Sequence, residues 1–256
     1  MHERITTALH TIAHDEDVRV LYACESGSRA WGFPSRDSDY DVRFIYVRRP
    51  EWYLSINLEH KRDVIERPIS EQLDLSGWDL RKALQLLRKS NPPLLEWLNS
   101  PIVYLEAADI AAQLRALLPV YYSPVACLFH YLHMARGNYR DYLQGEIVWI
   151  KKYFYVLRPL LAIQWIEAGR GVVPVEFQVL VDTLVEDEAL RQAIDQLLKR
   201  KRAGEELDRE PMIPAISAFI VSELARLETA SIDHRRSGAD IEQLNQLFRA
   251  VLAAVW

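Results

Sequence analysis

Cysteine is scarce: Cys24 and Cys127 are the only two in 256 residues, and each stands in an apolar stretch. That excludes a disulfide framework and predicts buried thiols in a reducing compartment. Zinc-type cysteine spacing is missing, as are a Gly-x-x-x-x-Gly-Lys phosphate loop and a Gly-x-Ser-x-Gly nucleophile elbow. No apolar run is long enough to span a bilayer. The most apolar region, 147–168, is interrupted by Lys151, Lys152, Arg158 and Pro159, too much charge for a membrane helix. The stretch MHERITTALHTIAHDED has no apolar core of the signal-peptide kind, so a cytoplasmic protein is expected. Positive charge is not in excess either. Thirty-one Lys and Arg face 36 Asp and Glu, a net charge of −5. This argues against coating nucleic acid through charge alone, while leaving room for an enzyme with a local basic groove. There is no internal repeat and no low-complexity linker.

What is present is an ordinary globular composition, 50% apolar and 26% charged, in a chain long enough for one domain and a second of comparable size. The first hundred residues read as mixed α/β. A short amphipathic helix is predicted from Ile5 to Ile12 and a buried strand from Val18 to Cys24. A turn of small residues, ESGSRAWGFPSRDSD, follows. From Asp41 to Val47 the chain alternates, with Val42, Phe44 and Tyr46 on one face and Asp41, Arg43 and Ile45 on the other. Val64 to Ile69 and Leu73 to Leu75 read as extended. From Asp79 the period becomes helical, with Leu80, Ala83, Leu84 and Leu87 in one stripe. Beyond Pro101 nearly everything reads as helix. Ser123 and Pro124 start one that Gly137 and Asn138 end. Leu143 to Ala168 forms a long helix bent at Pro159, and 186–202, 211–228 and 239–256 complete the set. The run KRKRAGEELDRE reads as a solvated helix end rather than a nucleic-acid tail.

The informative segment is Gly27-Ser28, ten intervening residues, then Asp39-Tyr40-Asp41 at the start of the alternating strand. Carboxylates at i and i+2 on a strand share a face, with Cα atoms about 6.5 Å apart. Such a pair suits Mg²⁺, which takes a few carboxylates and fills its octahedron with water and substrate phosphates. Two-metal phosphoryl-transfer sites hold their ions about 3.5–4 Å apart. The Gly-Ser turn offers backbone N–H groups and a hydroxyl where a triphosphate could lie, and glycine permits close approach.

This arrangement resembles the nucleotidyltransferase superfamily that includes DNA polymerase β, whose signature is a Gly-Ser followed about ten residues later by Asp-x-Asp. The longer stretches GSRAWGFPSRDSDYDVRFIYV, LDLSGWDLRKALQLLRKSNPPLLEWLNSPIVY and KKYFYVLRPLLA resemble one subgroup, the predicted nucleotidyltransferases associated with RNA repair. The resemblance implies an N-terminal α/β (α+β) palm with a small mixed sheet over residues 1–105. An all-helical C-terminal domain would follow over 106–256, with the active site in the cleft between them. It further implies that Gly27 and Ser28 contact the β- and γ-phosphates of an NTP and that Asp39 and Asp41 hold two Mg²⁺ ions. A third carboxylate on a following strand, between apolar residues, would complete the metal set and help activate the attacking hydroxyl. Asp74 in Leu73-Asp74-Leu75 matches that pattern best, and Glu66 is the competitor.

The implied reaction is Mg²⁺-dependent transfer of a nucleoside monophosphate from an NTP to a hydroxyl, with an RNA end, such as that of a tRNA, as acceptor. Two rivals stand beside it: the same chemistry on a small molecule or a protein hydroxyl, and a nucleotide-binding regulatory or toxin–antitoxin module. Around the core motif, Arg29 either caps a phosphate or solvates its loop, and Arg43, on the face of Asp41, could neutralise the carboxylates. Lys151, Tyr155 and Arg158, at i, i+4 and i+7, would share a helix face able to grip a triphosphate and stack on a base. The alternative is an amphipathic helix whose basic residues reach solvent. His130 and His133 read as structural, and Trp78 and Trp97 as packing anchors.

Overall fold

Alternation builds the sheet and the 3.6-residue period covers it. The computed structural model describes residues 1–70, 72–229 and 240–256. Strands β1 (Val18–Glu25), β2 (Tyr40–Arg48), β3 (Val64–Ser70), β4 (Leu73–Asp79) and β5 (Val103–Glu106) form one sheet in the order β3-β4-β2-β1-β5. Strands β2 and β4 run parallel and the other neighbours antiparallel, a mixed sheet of the kind the family resemblance implies. On one face Ala23, Val42, Phe44, Tyr46, Leu73 and Leu75 are buried against Ile5, Leu9 and Ile12 of the helix His2–Asp15. Each fully buried side chain of this size contributes about 1.5–3 kcal/mol. The alternate residues Asp41, Arg43 and Ile45 point to the opposite face, opposite Asp74, Ser76 and Trp78 of β4.

Strand β4 extends four residues beyond the predicted Leu75. It ends at Asp79, whose carboxylate caps the helix Leu80–Arg88 by accepting the Arg81 N–H at 2.8 Å. Leu80, Ala83, Leu84 and Leu87 are the buried stripe of that helix. Trp78 and Trp97 stack with centroids 3.7 Å apart. Strand β5 is not foreseen in the sequence, because four half-exposed residues at a sheet edge carry too little alternation to read.

The chain divides into two compact units. One comprises 1–30, 39–122 and the described 240–256; the other comprises 31–38 and 123–229. Both units are thus discontinuous in sequence, where the reading above draws one boundary after residue 105. In the second unit Ser123 caps the helix Pro124–Tyr142, accepting the Ala126 N–H at 3.3 Å. Gly137 and Asn138 do not end that helix; the Asn138 amide donates to the Met134 carbonyl at 3.0 Å, and the helix runs on to Tyr142.

The long helix expected from Leu143 to Ala168 is corrected as well. Gly145 takes φ +94°, outside helical space. Ile147–Trp149 forms β6, paired with β7 (Arg209–Pro211). A 3₁₀ turn, Ile150–Tyr153, then leads into the helix Phe154–Glu167. The C-terminal half is therefore not all-helical. That helix is the core of its unit, burying Val156, Leu157, Leu160, Leu161 and Ile163, while Phe33 stacks on Phe154 at 4.5 Å and meets Phe177 edge-on. The helices Glu188–Ala203 and Pro214–Thr229 fall near their predicted places. The last described helix is Glu242–Val255, and the predicted start at Ala239 lies outside the described residues. Among the described residues no helix is long and apolar enough to cross a membrane. Both cysteines are buried.

Candidate active site

The Gly-Ser segment and the carboxylate strand meet at the end of β1. Here the Ser26 N–H donates to the Asp41 carbonyl at 2.8 Å, and the chain turns through one helical turn, Gly27–Ala30. Gly27 sits at φ +57°, and a Cβ added to it would fall 2.0 Å from Asp41 Oδ2 and 2.9 Å from its Cγ. Both the left-handed backbone and the contact with the carboxylate require glycine.

Asp41 of β2 stands directly opposite Asp74 of β4 in the parallel register. Arg43 bridges the two: its guanidinium donates to Asp74 Oδ2 at 2.7 Å, to Asp41 Oδ1 at 3.1 Å and to the Asp74 carbonyl at 3.0 Å. Burial pushes the Asp41 carboxyl above the usual carboxylate range. Arg43 opposes this, and the charges of Asp74 and Asp39 add to it. Asp39, just before β2, is exposed. Its carbonyl accepts Arg29 Nε at 3.2 Å, while the Arg29 guanidinium lies 3.7 Å from the centre of the Tyr40 ring. Glu66 lies one strand further out, on β3 opposite Ser76, exposed and paired with Arg62. The structure thus brings Asp74, not Glu66, to Asp41.

Glu25, the last residue of β1, is absent from the sequence-based set although it is only 1% exposed. Its Oε1 accepts the backbone N–H of Asp41 at 2.7 Å, and its Oε2 accepts the Tyr104 hydroxyl. Ser100 Oγ donates to its carbonyl at 2.6 Å. Burial raises the Glu25 carboxyl pKa, with the Asp41 charge acting in the same direction. The signal in the sequence is a lone acid closing an apolar strand, VRVLYACE, and its partners lie 16 and 79 residues away.

Lys151, Tyr155 and Arg158 belong to the second unit; Tyr155 and Arg158 lie on the helix Phe154–Glu167 and both meet Trp31, the Tyr155 ring with its centroid 5.8 Å away. Lys151 lies in the 3₁₀ turn, whose angular step differs from that of the helix after it. Lys152 approaches Tyr155, with its Nζ 4.9 Å from that ring and 4.2 Å from that of Tyr142. Arg158 is 3% exposed; its guanidinium lies 4.9 Å from the Trp31 ring centre and donates to the Pro174 and Val175 carbonyls at 3.4 Å. Lys201 donates to Ser35 Oγ at 3.2 Å; burial lowers its pKa, and the charge of nearby Lys151 lowers it further.

Among the described residues, no three His, Cys, Asp or Glu side chains already form a metal cage. The donor set nonetheless fits a hard divalent ion. Asp41 and Asp74 are oxygen donors held side by side, Asp39 is close enough to act on Asp41, and a cation, the Arg43 guanidinium, already bridges the pair.

A strand, a Gly-Ser turn and paired carboxylates on adjoining strands together define the class, a polymerase-β-like nucleotidyltransferase. Comparison with known sequences makes this specific. The chain belongs to the RNA repair pathway DNA polymerase beta family, RlaP, whose family model matches residues 1–250. It is 52% identical over 257 residues to the protein YcgL of Bacillus subtilis (strain 168), covering 100% of this chain and 98% of that one. A crystal structure of a nucleotidyltransferase-like protein from Exiguobacterium sibiricum 255-15 shows a remote likeness. Its TM-score is 0.31 at 14% identity, over 87% of this chain and 75% of that one.

Proposed function

We propose that this protein transfers a nucleoside monophosphate from an NTP to a hydroxyl, with an RNA end as the acceptor and Mg²⁺ held by Asp39, Asp41 and Asp74. The observation that carries the reading is the pairing of Asp41 with Asp74 on parallel strands, directly behind a glycine in contact with the Asp41 carboxylate. In the reaction the acceptor oxygen bonds to the α-phosphorus and loses its proton, the bond from that phosphorus to the bridging oxygen breaks, and pyrophosphate leaves in line. Bound Mg²⁺ supplies charge stabilisation on the attacking and leaving oxygens. Gly27 and Ser28 hold the β- and γ-phosphates at the turn, with Arg29 beside them. In the second unit the internal bonds of Arg158 favour a packing role. The RNA acceptor is favoured by the family description.

The test is label transfer from each of four α-³²P-labelled NTPs with Mg²⁺, offered RNA or the protein alone. Asp39→Asn, Asp41→Asn and Asp74→Asn serve as variants with the fold checked by circular dichroism. Label on RNA in wild type, lost at least 100-fold in each variant, is the expected result. Full activity in any of the three would remove that residue from the metal set. Label on the protein would shift the acceptor to a protein hydroxyl, and NTP binding without transfer would favour the regulatory module.

A further inference from the structure

Within the first unit, one buried acid has no part in the reaction as described. Glu25 ends β1 in register with Val42, which assigns its side chain to the face of Val42 and Phe44, away from the carboxylates of Asp41 and Asp74. From that face it cannot serve as a ligand beside them. It touches Asp41 through the backbone instead. The ladder between β1 and β2 runs out at this point, because the chain turns away at Ser26 into the Gly-Ser turn. The Ser26 N–H takes the Asp41 carbonyl, and the Glu25 carboxylate takes the Asp41 N–H at 2.7 Å. A side chain thereby replaces the strand partner that the turn removes. Without it the Asp41 N–H would be left without its strand-side acceptor. Tyr104 on the edge strand β5 fixes the other carboxylate oxygen, and Ser100 fixes the Glu25 carbonyl.

We infer that Glu25, anchored by Tyr104, is the positioning residue that holds Asp41 at its place on β2 through the Asp41 backbone N–H, and so sets the geometry with which Asp41 meets a divalent cation. The inference rests on the proposed reading of Asp41 as a metal ligand. It concerns a residue outside the Gly-Ser and Asp-x-Asp motif. The carboxylate needs to accept one N–H and one O–H, and a glutamine can do the first with its oxygen while its NH₂ donates to the tyrosine hydroxyl. An alanine can do neither.

Two readouts test it. The first needs no metal: exchange of the Asp41 amide proton, followed by NMR on ¹⁵N-aspartate-labelled protein. The second is the dissociation constant for Mn²⁺, measured by electron paramagnetic resonance of the free ion. In Glu25→Ala the Asp41 amide should exchange at least about tenfold faster, and Mn²⁺ should bind about 10–100-fold more weakly, the range found when a partner behind a metal ligand is removed. Glu25→Gln should stay within about threefold of wild type in both, and Tyr104→Phe should fall between. Where transfer is measurable, Glu25→Ala should lower kcat with KM for the NTP little changed. Unaltered Asp41 exchange in folded Glu25→Ala would overturn the inference, as would a Glu25→Gln variant as impaired as the alanine, which would make charge rather than position the cause. If Glu25→Ala does not fold, wild-type exchange and Mn²⁺ affinity in Tyr104→Phe would overturn it equally. Wild-type protein that binds no Mn²⁺ would instead remove the metal reading, and the amide exchange would still decide the role of Glu25.

Discussion

Gly27 lies so close to Asp41 that a methyl group on its Cα would sit 2.0 Å from the carboxylate oxygen Oδ2. Gly27→Ala must move the Asp41 side chain and also force a non-glycine residue to φ +57°. The backbone cost is about 1–2 kcal/mol, a loss the fold can survive. Nucleotidyl transfer should fall by at least 100-fold while circular dichroism stays native. A Gly27→Ala enzyme with more than a tenth of wild-type activity would show that the contact has no functional weight.

Arg43 bridges the carboxylates of Asp41 and Asp74. Arg43→Met should leave Asp41 and Asp74 without their counter-charge. The variant should lose about 1–2 kcal/mol in EDTA, given that all three side chains are only partly buried. Mg²⁺ should then restore more stability than it adds to wild type, since ion binding no longer competes with the guanidinium. Thermal unfolding with and without Mg²⁺ measures this directly. Equal Mg²⁺-induced shifts in the two proteins would argue against a shared position for guanidinium and ion.

Asp79 gives a pH prediction. Burial pushes its carboxyl up to about 6, against the lowering influence of the Tyr53 hydroxyl, the Arg81 N–H and Arg48 and with the added repulsion of Asp63. Between about pH 4 and 6 the native state then holds a proton that the unfolded chain has released, so stability is greatest at the acid end of this window and falls as pH rises through it. Glu25 and Asp41, also raised, act in the same direction. The Asp79 share is of order 2 kcal/mol. Urea unfolding of wild type and Asp79→Asn from pH 4 to 7 isolates it: the asparagine variant, which keeps a helix-capping oxygen, should show a visibly flatter profile. Parallel profiles would assign the slope to other groups.

Much of the first unit was legible from residue order. The alternation of Val42, Phe44 and Tyr46 against Asp41 and Arg43 gave β2 and its faces, and Leu80, Ala83, Leu84 and Leu87 gave the helix after β4. The Gly-Ser turn and the Asp-x-Asp pair are local signals, set by positions a few residues apart. The break at Gly145 was harder to see, because the neighbouring apolar residues are equally compatible with a helix until 147–149 finds a strand partner at 209–211. Arg158 read as a surface cation because its sequence neighbours do not reveal the Pro174 and Val175 carbonyls that receive it.

Residue order alone was enough for β2, for the helix after β4, for the glycine at the turn and for the chemical nature of the donors, since these depend on dihedral preference, periodicity and side-chain type. Only the tertiary structure decided which acids meet. Opposition of Asp41 to Asp74 depends on the register of β2 on β4, and a shift of one residue would turn one of them to the other face. The hold of Glu25 on the Asp41 N–H arises across two strands at the point where their ladder ends. Contacts of that kind are fixed by the pairing of distant segments, and no local pattern encodes them.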